Sequence, residues 1–284
     1  MFLENSNGYV SDGKLCYNQV DQFAKSISAQ TISIIIMLIS LITTTFNSSK
    51  TISDTIKSVE SQSYLSIEHI IIDGLSSDNT LDIVNDFPQV SKIISEKDRG
   101  IYDAMNKGIA AASGEIIGIL NSDDVYYDNQ VISKVMTAFE DDSVDAVYGD
   151  LLYVKQHDLS RITRTWRSGN FKKNKFLFGW MPPHPTFFVR KKVYEEIGDF
   201  NLSLHSAADY EFMLRALFRY SYQPYYMPEV LVKMRTGGRS NATIKHRLRA
   251  NAEDRKAWDI NGLKPYIFTI ALKPLRKIFQ FIIN

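Results

Sequence analysis

Apolar and polar positions change in blocks along residues 38–124, and each block has the length and period of one secondary-structure element. Residues 38–45 are β-branched and apolar and run into Phe46-Asn47, the pattern of a buried strand opening into a loop. Ile52, Ile56 and Val59 follow at helical spacing behind Ser48 and Ser49, both good capping types. Residues 69–73 predict a second short strand, stopped by Gly74 and the polar run 76–80, after which Leu81 and Val84 open another helix. Residues 92–95 read as a third strand and 102–112 as a helix with Met105 and Ile109 on one face. Residues 116–120 then make a strong strand that ends in Asn121-Ser122-Asp123-Asp124.

Strands alternating with helices predict an α/β fold, a Rossmann-like, mostly parallel sheet with helices on both faces. Right-handed crossovers put every strand's C-terminal end on one edge. Asn47, Asp73 and Asp123 then gather there, where open α/β sheets bind ligands. Beyond about residue 130 the alternation weakens: 146–148 predict a strand, 191–197 a short helix and 208–220 a longer amphipathic one. From Leu263 large apolar residues mix with Lys264, Lys273, Arg276 and Lys277. Pro265 and Pro274 divide this tail into two helical pieces.

Residues 1–36 have no sustained apolar period and are rich in Ser, Asn, Gln and Asp. Residues 32–36 have no turn between themselves and the first strand, so they either prolong it or peel away. The polar stretch before them has too few apolar residues to offset its own ordering entropy. The expectation is a dispensable extension, with the functional chain beginning at Met37.

Composition narrows the class without naming it. With 284 residues, 44% hydrophobic and 23% charged, the chain is ordinary globular material. A net charge of +1 gives no field for nucleic acid, so no such partner is expected. Cys16 is the single cysteine, which rules out an intramolecular disulfide. The longest apolar run, residues 32–42, is shorter than a membrane span, is broken by Ser33 and Ser40, and lacks the flanks of a signal peptide. The expected location is cytoplasmic.

Three carboxylate positions could carry chemistry. Asp73, between an apolar strand and a Gly/Ser loop, is either a turn aspartate or a carboxylate facing the base or ribose of a nucleotide. Asp123 and Asp124, just past a buried strand, are hard oxygen ligands suited to a divalent metal on a diphosphate; alternatively Asp124 caps a helix. Asp209 opens a helix, as either a first-turn acid favoured by the helix dipole or a functional carboxylate, with Glu211 two residues on. His184 sits among Pro182, Pro183 and Pro185, in a rigid loop or a core wall. P-loop, GxGxxG, HExxH and GxSxG motifs are all missing.

Taken together these residues resemble family 2 glycosyltransferases with the GT-A fold, in the branch that builds bacterial surface polysaccharides. The resemblance covers roughly residues 37–241. It is carried by 39–47, Ile72-Asp73-Gly74, 76–80, 120–124, 183–187, Ala207-Ala208-Asp209-Tyr210 and 237–241, and most specifically by residues 95–108. It implies that Thr45 and Asn47 line the nucleotide site, that Asp73 pairs with uracil, and that Asp98 and Asn106 shape the donor site. Asp123 and Asp124 would occupy the metal–diphosphate motif, with Asp123 also at the nucleotide, and Asp209 would be the catalytic base.

The implied reaction is an inverting transfer of a hexosyl or N-acetylhexosaminyl group from a UDP-sugar to an acceptor hydroxyl, with Mg²⁺ or Mn²⁺, onto a lipid-linked saccharide. Trp166, Trp180, His184 and Glu211 would shape the sugar pocket. Two positions depart from the pattern. Leu75 replaces a second glycine, which should hinder a positive φ there, and Asn121 stands where many relatives carry aspartate. The domain expectation is residues 1–36 as extension, 37–130 as nucleotide-binding half, 131–241 as acceptor half, and 242–284 as a helical, basic-apolar tail. Four cations interleaved with large apolar residues in that tail predict binding to an anionic membrane, on its inner face. A sugar nucleotidyltransferase and a non-catalytic nucleotide-sugar binding protein are the competing readings.

Overall fold

All seven residues of β1 (Ile39–Thr45) are buried, because this strand has a neighbour on each side and helices on each face. The structure, a computed structural model, describes residues 36–237 and 244–273, with side chains of 244–248 left aside. Contacts make Met37–Asn284 a unit of its own. The expectations for residues 1–35, for 238–241 and for the tail beyond Lys273, Pro274 and Arg276 included, lie outside the described residues.

β1 pairs in parallel with β2 (Ile67–Asp73) and β4 (Ile116–Ile119), and β2 with β3 (Lys92–Ser95). Between them run α1 (Ile52–Glu60), α2 (Thr80–Asn85) and α3 (Ile101–Ala111). Strand alternation sends Ile42, Ile70 and Ile72 into one cluster with Tyr102, Met105 and Ile109 of α3. Ile39 and Leu41 point the other way, towards Ile132, Val135 and Phe139. Ile71 packs with Ile52, Ile56 and Val84. Each fully buried aliphatic side chain contributes about 1.5–3 kcal/mol, so these faces hold the layers together. Gly108 lets α3 lie directly on β1: a Cβ there would stand 2.3 Å from Ile42 Cγ2.

Further along come β5 (Val125–Tyr126), α4 (Val131–Ala138), β6 (Ala146–Lys155), β7 (Asp158–Trp166), β8 (Phe188–Arg190) and α5 (Lys191–Ile197). They are followed by α6 (Ala208–Met213), β9 (Pro224–Arg235) and α7 (Ile244–Ile260). The sheet order is β3-β2-β1-β4-β8-β6-β9-β5, with β7 on β6. Beyond β4 the ladders are mixed: β8 runs antiparallel to β4 and β6, while β6 and β9 are parallel. The strand expected at 146–148 is ten residues long. The helix expected over 208–220 is α only to Met213 and continues with π spacing over Leu214–Arg219. No described helix is long and apolar enough to cross a membrane.

α7 packs against α6, with Ala257 and Trp258 in the same core as Tyr210 and Phe212. The Trp258 indole N–H donates to the Tyr210 hydroxyl at 2.9 Å. Lys273 pairs with Asp254 at 2.6 Å and lies 3.7 Å from the centre of the Tyr210 ring. The described part of the tail is therefore docked on α6, the helix that carries Asp209 in its first turn.

Candidate functional site

The parallel register brings Thr45, Asp73 and Ser95 level at the C-terminal edge. Asp73 is fully buried. Its Oδ2 accepts from the Ser76 N–H at 3.0 Å and the Ser95 hydroxyl at 2.7 Å, and its Oδ1 from the Ser76 hydroxyl at 2.5 Å. Ser76 also accepts from the Asn47 N–H at 2.8 Å, and Asn47 Oδ1 accepts from the Ser77 N–H at 2.8 Å. The loops after β1 and β2 are thus laced together around one serine. Thr45 Oγ1 is buried beside them without a described partner.

One expectation is overturned in this loop. Leu75 was expected to resist a positive φ, yet it adopts φ +62° with its side chain half in solvent. The left-handed backbone costs a non-glycine residue roughly 1–2 kcal/mol. The bonds that Ser76 makes to Asp73 and Asn47 hold the turn from its next residue. Gly74 is the crowded position: a Cβ there would stand 2.4 Å from Asp98 Oδ2, so a side chain would have to displace that carboxylate. Asp98 itself caps the next turn, accepting from the Gly100 N–H at 2.9 Å. Asp98 therefore does reach the Asp73 loop.

Asn106 has a different occupation. Its Nδ2 donates to the Phe200 carbonyl at 2.9 Å and its Oδ1 accepts from the Phe200 N–H at 3.0 Å. Both ends of its amide are used to clamp the chain just after α5, so it ties the two halves of the sequence together.

The acidic pair is buried deeper than an exposed metal motif would be. Asp124 is fully buried, and its oxygens accept from Asn121 Nδ2 and the Arg235 N–H, each at 3.3 Å. Burial first, and then the charge of Asp123, push the Asp124 carboxyl well above the usual carboxylate range. Asp123 is half-buried and is pushed up by burial, with Arg235 opposing. Asp124 caps no helix, since the next one starts at Val131.

Arg235, which the sequence did not single out, organises this corner. Its guanidinium donates to the Asp123 carbonyl at 2.8 Å, the Gln156 carbonyl at 3.0 Å and Asp54 Oδ2 at 2.5 Å. Its only advance signal is its place two residues before the glycine pair at 237–238. A cavity of about 510 Å³ lined by Lys50, Asp54, Gln156 and Arg235 adjoins it, and none of the predicted site carboxylates lines that cavity.

These residues fit a divalent cation. Asn121 Oδ1 is buried with no described partner, its Nδ2 is bonded to the Asp124 carboxylate, and Asp123 adjoins Asp124 in sequence, so the acceptors available are all hard oxygens. Among the described residues no cluster of three or more His, Cys, Asp or Glu could cage a metal. A magnesium-type site with one or two carboxylates, waters and a substrate phosphate needs no cage.

The second group lies around Asp209. Its Oδ1 accepts from the Tyr102 hydroxyl at 2.9 Å, a partner that the sequence reading missed although Tyr102 lies inside the 95–108 stretch. His184 stands with its ring centre 5.8 Å from that of Phe200. Burial pushes the His184 imidazole down, and the nearby Asp209 charge opposes that shift. Two predicted pocket residues are elsewhere. The Trp180 indole is buried among Tyr148 and Phe176 and donates its N–H to the Ser168 carbonyl at 2.8 Å. Glu211 is 1% exposed, accepts from Asn261 at 2.8 Å and pairs with Arg215 at 3.3 Å. Trp166, at the end of β7, is partly buried against both main clusters.

Comparison with known proteins places this geometry in context. The family model described as Glycosyl transferase family 2 matches residues 40–198. A PGL/p-HBAD biosynthesis glycosyltransferase of Mycobacterium tuberculosis is 30% identical over 213 residues, 73% of this chain and 80% of its own. An uncharacterized glycosyltransferase of the same species is 35% identical over 181 residues, 63% of this chain and 68% of its own. Among solved structures, S. aureus TarS in complex with UDP-GlcNAc superposes with a TM-score of 0.61 at 18% identity, over 87% of this chain and 69% of that one. The mannosyltransferase PcManGT of Pyrobaculum calidifontis, in complex with GDP-Man and Mn²⁺, gives 0.61 at 16% identity, over 91% and 76%. At such identities the structural likeness speaks for the fold alone.

Proposed function

The chain belongs to glycosyl transferase family 2 and is a glycosyltransferase of GT-A fold, and from that premise we propose an inverting, metal-dependent transfer from a nucleotide-diphosphate sugar to an acceptor hydroxyl. The observation that carries this reading is the division of labour among carboxylates. Asp73 ends β2 and Asp123/Asp124 follow β4, the two parallel strands that flank β1, while Asp209 lies in the first turn of a helix of the other half and is held by Tyr102. Asp73, with Thr45 and Asn47, receives the base and ribose; UDP is the proposed nucleotide.

Asn121 Oδ1 and the Asp123 carboxylate are the groups that would hold Mg²⁺ or Mn²⁺, which when bound supplies Lewis-acid stabilisation to the diphosphate. Asp124, bonded to Asn121 and to the Arg235 backbone, would orient Asn121. Asp209 takes the proton from the acceptor hydroxyl, which attacks the anomeric carbon opposite the departing diphosphate, so the configuration inverts. The proposed acceptor is a lipid-linked saccharide of surface polysaccharide synthesis.

Asp123→Ala tests the metal assignment. Nucleotide release is expected to fall to background and metal-dependent binding of UDP, followed by thermal shift, to weaken. Full activity with unchanged chelator sensitivity removes Asp123 from the metal site.

Two proposals concern the ends of the chain. Residues 1–36 are proposed to be dispensable, so a protein spanning Met37–Asn284 should keep its solubility and turnover; loss of either makes the extension a working part. Peripheral binding to the inner face of the cell membrane is proposed for the tail. In its described part Tyr266, Ile267 and Phe268 are exposed, Ile267 at 96%, and the Phe178 ring stands 6.0 Å from Phe268. Ile267→Glu should reduce sedimentation with anionic liposomes; undiminished binding removes this segment from the contact.

A further inference from the structure

Helices α3 and α6 come from different halves of the chain, and the Tyr102–Asp209 hydrogen bond joins them. Tyr102 lies in the first turn of α3, buried, with its ring centre 5.7 Å from that of Phe200. Asn106, one turn further along α3, clamps the Phe200 backbone. Burial, reinforced by the charge of Asp209, pushes the Tyr102 phenol well above its usual range, so the hydroxyl keeps its proton and serves as a donor. Among the described residues the hydrogen bond to the Asp209 carboxylate is this one, to Oδ1.

The other flank of Asp209 is fixed by α7. The N-cap residue of α6, Ala207, has no side chain able to cap it. Glu253 works on the turn just before, where its Oε2 accepts from the N–H groups of His205 at 2.9 Å and Ser206 at 2.7 Å. Trp258 holds Tyr210 and Asn261 holds Glu211, the two residues after Asp209. The backbone of the carboxylate is thus set from one side, and the rotation of its side chain is set from the other by a single hydroxyl.

We propose that Tyr102 is a positioning residue for the transfer: it holds Asp209 Oδ1 so that Oδ2 faces the acceptor hydroxyl. The inference rests on the reading of Asp209 as the base. In the step itself the acceptor O–H proton passes to Asp209 Oδ2 and the acceptor oxygen bonds to the anomeric carbon. The bond from that carbon to the phosphate oxygen breaks, and its electron pair leaves with the nucleoside diphosphate. A carboxylate free to rotate presents its oxygen in the reactive arrangement for only part of the time, and small misplacements near reacting atoms are costly to rate. The same helix starts immediately after the turn that Asp98 caps at Gly100, and Asp98 also stands against Gly74, so the donor loop and the tether of the base meet at the start of α3.

The test uses the full chain as wild type, Tyr102→Phe, Asp209→Asn and the double variant. The probes are UDP-GlcNAc, UDP-glucose, UDP-galactose and GDP-mannose with Mn²⁺, with water as acceptor and nucleoside diphosphate release as the signal. Tyr102→Phe keeps the buried ring and removes only the donor. It should lower kcat by about 10-fold, leave KM for the donor within about 2-fold, and add no further loss when Asp209 is already Asn. Unchanged kcat in Tyr102→Phe, or an equal fold-loss in both backgrounds, overturns the inference. Normal turnover by Asp209→Asn overturns the base reading instead. If none of the four donors turns over, the proposed donor class fails, and urea midpoints of wild type, Tyr102→Phe, Asp209→Ala (which removes the acceptor of the Tyr102 hydroxyl) and their double variant decide the inference alone. Non-additive midpoint shifts support the tether, and additive shifts overturn it.

Discussion

Asp209→Asn is expected to lower kcat by about 10²–10⁴-fold while leaving nucleotide binding intact. Asparagine matches aspartate in size, and its amide oxygen can still accept from the Tyr102 hydroxyl now bonded to Asp209 Oδ1. The substitution therefore removes proton acceptance and little else. Nucleotide binding should survive because Asp73, Asn47 and Ser76 form their own bonded set at the ends of β1 and β2. The expected signature is a collapse of nucleotide release with an unchanged thermal shift on UDP. Normal turnover would move the base elsewhere, and Glu211 is a poor second choice: it is buried, bonded to Asn261 and paired with Arg215. Burial pushes its carboxyl upward, but no path leads from it to a substrate hydroxyl among those partners.

The parallel half was legible because β1, β2 and β4 are almost wholly buried and end in polar clusters, while the half-exposed β3 alternates in burial along its length. Lys92–Ser95 falls where the pattern puts it, and β1, β2, β4 and α3 lie within two residues of their expected limits. β9 was not legible, since Pro228 within Pro224–Arg235 argues against a strand with two neighbours. The structure resolves this with a register irregularity: Tyr148 faces Tyr226 but Asp150 faces Val230, so Pro228 falls where no ladder donor is needed. β7 was hidden by its polarity, as Asp158, Ser160, Arg161 and Arg164 suit a strand attached at the side of the sheet.

The site divides in the same way. Carboxylates at strand ends announce themselves, because local pattern fixes where a strand stops. Asn106, Tyr102 and Arg235 act through partners 94, 107 and 112 residues away, and no local period encodes such a contact. Leu75 shows the converse, a local rule overridden by bonds from the next residue.

Trp258→Ala is expected to destabilise the protein by roughly 3–5 kcal/mol, the cost of truncating a fully buried large aromatic side chain. From sequence, residues 242–284 read as a basic-apolar tail, and truncating an aromatic in an exposed tail would cost almost nothing. The structure gives Trp258 a core position instead: no part of it is exposed, its ring stands 5.3 Å from Phe218 edge-on, and its N–H is bonded to Tyr210. α7 is otherwise polar, and its buried acids Glu253 and Asp254 point inward because each has cationic or N–H partners. Its docking therefore depends heavily on Ala257 and Trp258. Truncation leaves a cavity against Phe218 and an unpaired hydroxyl on Tyr210, next to the proposed base, so turnover should fall along with stability. Trp258→Phe separates the two contributions: it refills most of the cavity but loses the N–H, and should cost about 1–2 kcal/mol. Urea denaturation followed by tryptophan fluorescence from Trp166 and Trp180, both retained, supplies the measurement. A loss below about 1 kcal/mol for Trp258→Ala would mean that α7 is peripheral to the fold, and the clamp on the flank of Asp209 would fall with it.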